Sequence, residues 1–588
     1  MFHQDPRAVG GSLALSALCA AIPLVVLFVL LGGLKVRAWL SGVISLVVAL
    51  VIAVALFGMP LGQGISATIL GAIFGFFPIL WIVINAVWVY NLTVVSGHFD
   101  VLRRSFEKVS PDQRIQAIII AFCFGALLEA LAGFGTPVAI TVVMLVSLGF
   151  KPVKAATVAL LANTAPVAFG ALAIPITTLA GIAAGVNSDP RLTVDGIGSM
   201  VGRQTPLLAV VVPLFLVIVV DGVRGARQTW PAALLAGVVF GLGQYLSANF
   251  ISVPLADIIA SLAAAASLVL LVRVWQPAEV LRAEDDESAM AVAGGSGRAT
   301  GETRGASTVP ATAGAQRGAE RDAAGTGAGP GAGGVGTVPA DSGGEVFRAY
   351  APYLVVIAIF AIMNIPALVT FFGKAPWTYV YNWPGLHVLN SAGDPVATTF
   401  KLNWLPAAGT LLVIAGLITM AILKISPGQA FRTYVGTYVE LRSAIITVMA
   451  VLALAYVLND SGMTGSMGVW LAGTGGVFAV LAPILGWIGV AVTGSDTSSN
   501  ALFGALQAQT AAKAGLDPLL MVSANSSGGV LGKMISPQNL AIAAAAVGMA
   551  GREGEIFRKV IGWSVLLLLV MCAIVGLQST PVLGWMVP

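Results

Sequence analysis

Twelve runs of about 20 apolar residues recur along the chain, near 12–32, 38–58, 65–91, 154–182, 205–222, 230–248, 253–273, 348–372, 404–424, 441–460, 517–548 and 560–579. Each is long enough to cross a hydrocarbon core of roughly 30 Å as a helix. With 57% hydrophobic and 10% charged residues and a mean hydropathy of +0.93, the chain cannot be an ordinary soluble domain, in which about a quarter of residues are charged. The expected fold class is an all-α polytopic membrane protein whose first partner is the lipid bilayer. The first run, Ser12 to Gly33, is too long for a signal-peptide core and reads as a retained span. The net charge of +4 reports topology, because Lys and Arg collect in cytoplasmic loops, and it implies no nucleic-acid partner. Cys19, Cys123 and Cys572 all fall inside apolar runs. They suggest small buried hydrophobes rather than a disulfide framework or a metal site.

Inside the apolar sequence lie four short polar breaks. Gly133–Pro137 (GFGTP) precedes Asn163–Pro166 (NTAP), and Gly494–Asn500 (GSDTSSN) precedes Asn525–Gly529 (NSSGG); Asn163 follows Thr136 by 27 residues, and Asn525 follows Ser498 by the same interval. Irregular backbone is tolerated at membrane depth only where it lines a cavity, so matched breaks in two halves of one chain point to a transporter's substrate site. The stretches 115–150 and 478–512 are each divided by such a tip into halves near or below spanning length. They read as re-entrant hairpins, and the breaks at 163–166 and 525–529 read as interruptions of spans. The alternative is that Gly and Ser merely allow helices to pack closely.

Basic residues orient the chain. Lys35, Arg37, Arg103, Arg104, Lys108, Arg114, Lys151, Lys154, Arg224, Arg227, Lys424, Arg432, Arg442, Arg552, Arg558 and Lys559 fall on one side, and the turns Met59–Gly64 and Ser247–Val253 carry no charge. Both termini then lie outside the cytoplasm. The first hairpin enters from the cytoplasm and the second from outside, which makes the halves an inverted pair. The resulting organisation is scaffold helices over 1–64, a first repeat over 65–222 containing hairpin 115–150, scaffold helices over 223–276, a flexible cytoplasmic linker over 277–346, scaffold helices and an outer loop over 347–440, and a second repeat over 441–588 containing hairpin 478–512. The linker is rich in Gly, Ala and Thr and cannot bury a core. Trp377, Tyr379, Tyr381 and Trp383 place the outer loop at the lipid interface. Phe106–Arg114 and Pro427–Arg442 are amphipathic and read as connectors lying along the cytoplasmic surface.

Ionisable side chains at membrane depth are functional candidates by default, and three qualify: Glu129, Asp496 and Lys533. A carboxylate kept away from water can exchange a proton near neutral pH, so Glu129 and Asp496 are the candidates for proton coupling, in that order. Lys533 can pair with one of them or attract an anionic substrate. Around the breaks, Gly135, Thr136, Asn163, Thr164, Ser495, Thr497, Ser498, Ser499, Asn500, Asn525, Ser526 and Ser527 supply helix-start N–H groups, hydroxyls and amides that suit a small carboxylate. Pro137, Pro166 and Pro537 help keep the segments discontinuous. Asn91 and Asn459, with Asp460 beside it, form a further matched pair with a capping role. His3, His98 and His387 lie outside the runs, and no catalytic constellation, cofactor motif or metal cluster falls within them.

The motifs Gly125–Ile140 (GALLEALAGFGTPVAI), Asn163–Ile176 (NTAPVAFGALAIPI), Thr493–Leu506 (TGSDTSSNALFGAL) and Ala524–Gly548 (ANSSGGVLGKMISPQNLAIAAAAVG) resemble the lactate permease family, and the order of spans extends the likeness over nearly the whole chain apart from 277–346. The resemblance implies a bacterial inner-membrane secondary transporter that takes up small 2-hydroxymonocarboxylates, such as lactate or glycolate, together with protons. It implies no enzymatic activity and no cofactor. A Na⁺-coupled carrier of another short carboxylate, or an anion channel, is the alternative, and the sequence assigns no oligomeric state.

Overall fold

The computed structural model describes residues 1–588 except 35, 108, 132, 134, 282–340, 364, 391, 392, 394, 397, 550 and 551. Lys35, Lys108 and most of the expected linker thus lie outside the described residues. Among those described, eleven helices are long and apolar enough to cross a membrane. The expected all-α polytopic architecture stands, and strand structure is confined to short pairings. The N-terminal strand β1 (Phe2–His3) runs parallel to β3 (Val388–Leu389), and β2 (Tyr379–Asn382) pairs antiparallel with β4 (Thr399–Leu402). The N-terminus and the outer loop therefore share one end of the molecule. The Trp377 ring packs against Phe371, Phe372 and Trp404.

Local chemistry sets where helices begin and turn. Ser12, Thr193, Ser426 and Asp517 each accept a first-turn backbone N–H, and Pro152 and Pro518 occupy first-turn positions whose N–H would have no helical partner. At Asp221–Gly222 the helix Val212–Leu246 doubles back, with Gly222 at φ +67°. The returning half packs closely on what precedes it: a Cβ on Gly237 would meet the Val210 carbonyl oxygen at 2.2 Å, and one on Gly241 the Pro206 carbonyl oxygen at 3.1 Å. These are the two spans expected at 205–222 and 230–248, with the first beginning earlier, at Val194.

The surface connector expected at Pro427–Arg442 is a correction. Pro427–Asp460 is one uninterrupted helix of 34 residues, about 51 Å long at 1.5 Å per residue. Trp81–Val95 runs beside its first half: Trp88 Nε1 donates to the Ala430 carbonyl, and Asn91 Nδ2 donates to Thr437 and Glu440. Asn91 and Asn459 serve separate contacts, since Asn459 Oδ1 accepts from Thr464 Oγ1.

Four elements surround the centre. Gln113–Leu131 and Thr136–Ser147 fold back on each other, their base closed where Gln113 Nε2 donates to the Leu148 carbonyl. Phe478–Thr493 and Asp496–Ala514 do the same. Pro152–Ala162 and Gly170–Ala184 are two parts of one broken helix. The other broken helix is Pro518–Gly532 followed by Pro537–Ala546. The base of the first hairpin adjoins a polar cluster in which Arg114 bonds Asp112, Asp221 and Gln228. The second ends beside Arg191, which binds Asp189 and Asp517 at the far end of the molecule.

Candidate functional site

The break at Asn163–Pro166 is present as a turn and a short 3₁₀ segment, after which Ala171, Leu172 and Ala173 all adopt left-handed backbone, with φ of 45°, 59° and 59°. Such conformations cost non-glycine residues roughly 1–2 kcal/mol each, and they persist only where the surroundings over-determine them. The second break is not where the spacing put it. Pro518–Gly532 runs unbroken through Asn525–Gly529, and the interruption is Lys533–Ser536. The small residues of NSSGG serve helix contact instead: a Cβ on Gly528 would meet the Pro483 carbonyl oxygen at 2.2 Å, and one on Gly486 would meet the Asn525 carbonyl oxygen at 1.9 Å. Ser536, extended before Pro537, caps the restart by accepting from the Asn539 N–H.

This shift brings Lys533 to the centre of the site. Its Nζ lies 2.6 Å from Glu129 Oε1, and Asn163 Nδ2 donates to Glu129 Oε2 at 2.9 Å. The pair is almost dry, with side-chain exposures of 8% and 3%. Gly170 makes room for it, because a Cβ there would sit 2.9 Å from Glu129 Oε1. Asp496 starts the returning arm of the second hairpin, after Gly494 at φ +74° and the N-cap Ser495. Its Oδ2 accepts from Ser526 Oγ at 2.6 Å and Asn500 Nδ2 at 3.3 Å, while its Oδ1 has no partner among the described residues.

Glu129, Lys533, Ser495, Asp496, Thr497 and Gln538 share a cavity of about 50 Å³ between the two hairpin tips. A second cavity, of about 1210 Å³, reaches from the exposed Arg37 and Arg442 down to Thr136, Ser495, Ser498 and Gln538. Ser495 and Gln538 line both, so they stand between the vestibule and the enclosed centre.

The remaining sequence-nominated residues divide in two. Gly135, at φ +87°, is a close-approach position whose Cβ would meet Ile542 Cδ1 at 2.4 Å. Thr164 donates to its own turn at the Leu161 carbonyl, and Ser499 donates to the Gly486 carbonyl. Asn500, Asn525, Ser526 and Ser527 are spent on protein partners. Gln507 Nε2 donates to Asn525 Oδ1, Asn525 Nδ2 to Asn500 Oδ1, and Asn500 Nδ2 to the Pro175 carbonyl. Ser527 Oγ donates to Gln204 Oε1, and Gln204 Nε2 to Gln578 Oε1.

Sequence reasoning missed Gln204, Gln507, Gln538 and Gln578, and also Asp257. That aspartate is buried, accepts from Gln244 Nε2 at 2.8 Å, and is close enough to Glu129 and Lys533 to feel both charges. A polar residue inside an apolar run was the available signal.

A family model described as L-lactate permease matches residues 16–582. The chain is 40% identical over 604 residues to the L-lactate permease of Bacillus subtilis, covering 100% of this chain and 99% of that protein. It is 41% identical over 589 residues to the glycolate permease GlcA of Escherichia coli, covering 98% of each. It is 40% identical over 597 residues to the L-lactate permease of Escherichia coli, covering 100% of this chain and 99% of that one.

Proposed function

The chain belongs to the L-lactate permease family, and from that membership and the geometry of the site we propose that it imports small 2-hydroxymonocarboxylates, of which L-lactate, D-lactate and glycolate are the candidates, by proton symport across a bacterial inner membrane. Membership makes it a multi-pass membrane transporter rather than an enzyme. The substrate class follows the relatives called lactate and glycolate permeases.

The observation that carries the coupling is the charge of the small cavity. Two carboxylates, Glu129 and Asp496, face one ammonium, Lys533. With all three ionised the site is net negative, and a buried anion added to it would meet uncompensated repulsion. A proton taken up by Glu129 frees Lys533 for the substrate carboxylate and keeps the net charge of the loaded site equal to that of the empty one. Releasing the proton re-forms the 2.6 Å pair and displaces the anion. Hairpins that approach the site with their bases at opposite ends support two gates and an inverted repeat, as alternating access requires.

The test is uptake of labelled L-lactate, D-lactate and glycolate into proteoliposomes under an imposed pH gradient, with and without Na⁺ and an uncoupler. Accumulation should follow the pH gradient and collapse with the uncoupler; dependence on a Na⁺ gradient alone would favour the Na⁺-coupled alternative. Glu129→Gln should lose accumulation while retaining some exchange. If that variant still concentrates lactate, Glu129 is not the carrier.

A further inference from the structure

Away from the hairpin tips, a cavity of about 140 Å³ lies beneath the outer sheet. Two helices end there. Gly170–Ala184 contributes Gly181, Ile182 and Ala184 of its last turn, and Pro427–Asp460 contributes Tyr456, Asn459 and Asp460, while Leu70 and Thr399 close the sides. Asp460 is 6% exposed, and its Oδ2 has no hydrogen-bond partner among the described residues. An ionised carboxylate in such a place needs a compensating charge.

Among the described residues, the surrounding elements do not supply one. Tyr456 is the other titratable lining residue, the helix Leu61–Phe74 presents Leu70, and the sheet presents Thr399. Lys401, two residues beyond Thr399, is exposed and does not line the cavity. Gln4 Nε2 donates to the backbone carbonyls of Asn459 and Asp460 rather than to the carboxylate. The two helix C-termini add to the negative potential, since each carries the equivalent of roughly half a negative charge.

We propose that this cavity is a binding site for a small monovalent cation, held by the Asp460 carboxylate together with hydroxyl and carbonyl oxygens of the lining residues. Helix C-termini and carboxylates are suitable ligands for such an ion in a membrane protein. The same field repels an anion, so the cavity is not an outer subsite for a carboxylate substrate. The site is separate from the Glu129–Lys533 cavity and stands whatever the transported molecule is. By tying the end of a broken helix to the end of the long helix, a bound cation would hold the outer end of the molecule together.

Na⁺ is the probe. Full-length protein in lipid nanodiscs, without substrate and at pH 8, is melted in NaCl and in choline chloride at equal ionic strength. The wild type should show a saturable, Na⁺-specific rise in Tm, because a ligand that binds only the folded state stabilises it by mass action. Asp460→Asn should abolish the rise while melting normally in choline. Thr399→Ala should raise the Na⁺ concentration for half-effect severalfold. A wild type indifferent to Na⁺, or a rise undiminished in Asp460→Asn, overturns the proposal. Should Asp460→Asn fail to fold, Thr399→Ala decides, and an unchanged half-effect concentration overturns it.

Discussion

Lys533 and Glu129 lie 404 positions apart in sequence and meet at 2.6 Å in a nearly waterless site. Removing one member of such a pair strands the other as an uncompensated buried charge, at a cost of about 3–5 kcal/mol, whereas replacing both by uncharged groups of similar volume is often neutral. Lys533→Met should therefore lower the melting temperature of the purified protein markedly, and Glu129→Gln/Lys533→Met should recover most of the loss while remaining inactive in accumulation. A single Lys533→Met variant as stable as the wild type would argue against the buried pair. At this scale charge was legible in the sequence, because a lone carboxylate or ammonium in an apolar run stands out on energetic grounds. Glutamine was not. Gln204, Gln507 and Gln578 carry no charge, and they matter here because each meets its partner across the fold.

For the elements, the two broken helices show what a local pattern can and cannot convey. Asn163–Pro166 was readable as a break, since Pro166 cannot donate and the turn follows. Asn525–Gly529 is likewise made of small and polar residues but holds no proline, and it stays helical with Phe478–Thr493 pressed against it so closely that Gly486 and Gly528 have no room for a Cβ. Small residues permit either a break or a close crossing, and only the neighbouring helix decides between them. Gly486→Val should thus destabilise by about 1–3 kcal/mol or more through overpacking, read as a lower melting temperature and loss of monodisperse protein in detergent. Gly562→Ala is the control, in a helix where a Cβ would meet nothing within 4 Å, and should be neutral or stabilising by up to about 1 kcal/mol. Equal behaviour of the two would contradict the packing.

Across the whole molecule, the large vestibule joins the end bearing Arg37 and Arg442 to the hairpin tips, and Ser495 and Gln538 stand where it meets the small cavity. A transporter caught open toward one side should expose the vestibule to that side alone. Gln538→Cys, at an exposed position of the vestibule wall, should react with a membrane-impermeant maleimide faster in inside-out than in right-side-out vesicles, and lactate should slow it. The native Cys123 and Cys572 are buried and Cys19 is half-buried, which keeps the background low. Equal labelling from both sides would point to a continuous pore and thus to the channel alternative. The sequence by itself determined the helical membrane class, most of the spans, the family resemblance and the three charged candidates, because apolar length and desolvated charge are local properties that neighbours cannot reverse. Only the tertiary structure decided that the second break falls at Lys533, that Lys533 pairs with Glu129, and that Asn500, Asn525, Ser526 and Ser527 bond to the protein itself. Those outcomes depend on which helix lies opposite a given residue. Hydrogen bonds and ion pairs form between groups brought together by packing, and periodicity along one segment carries no record of its partner across the fold.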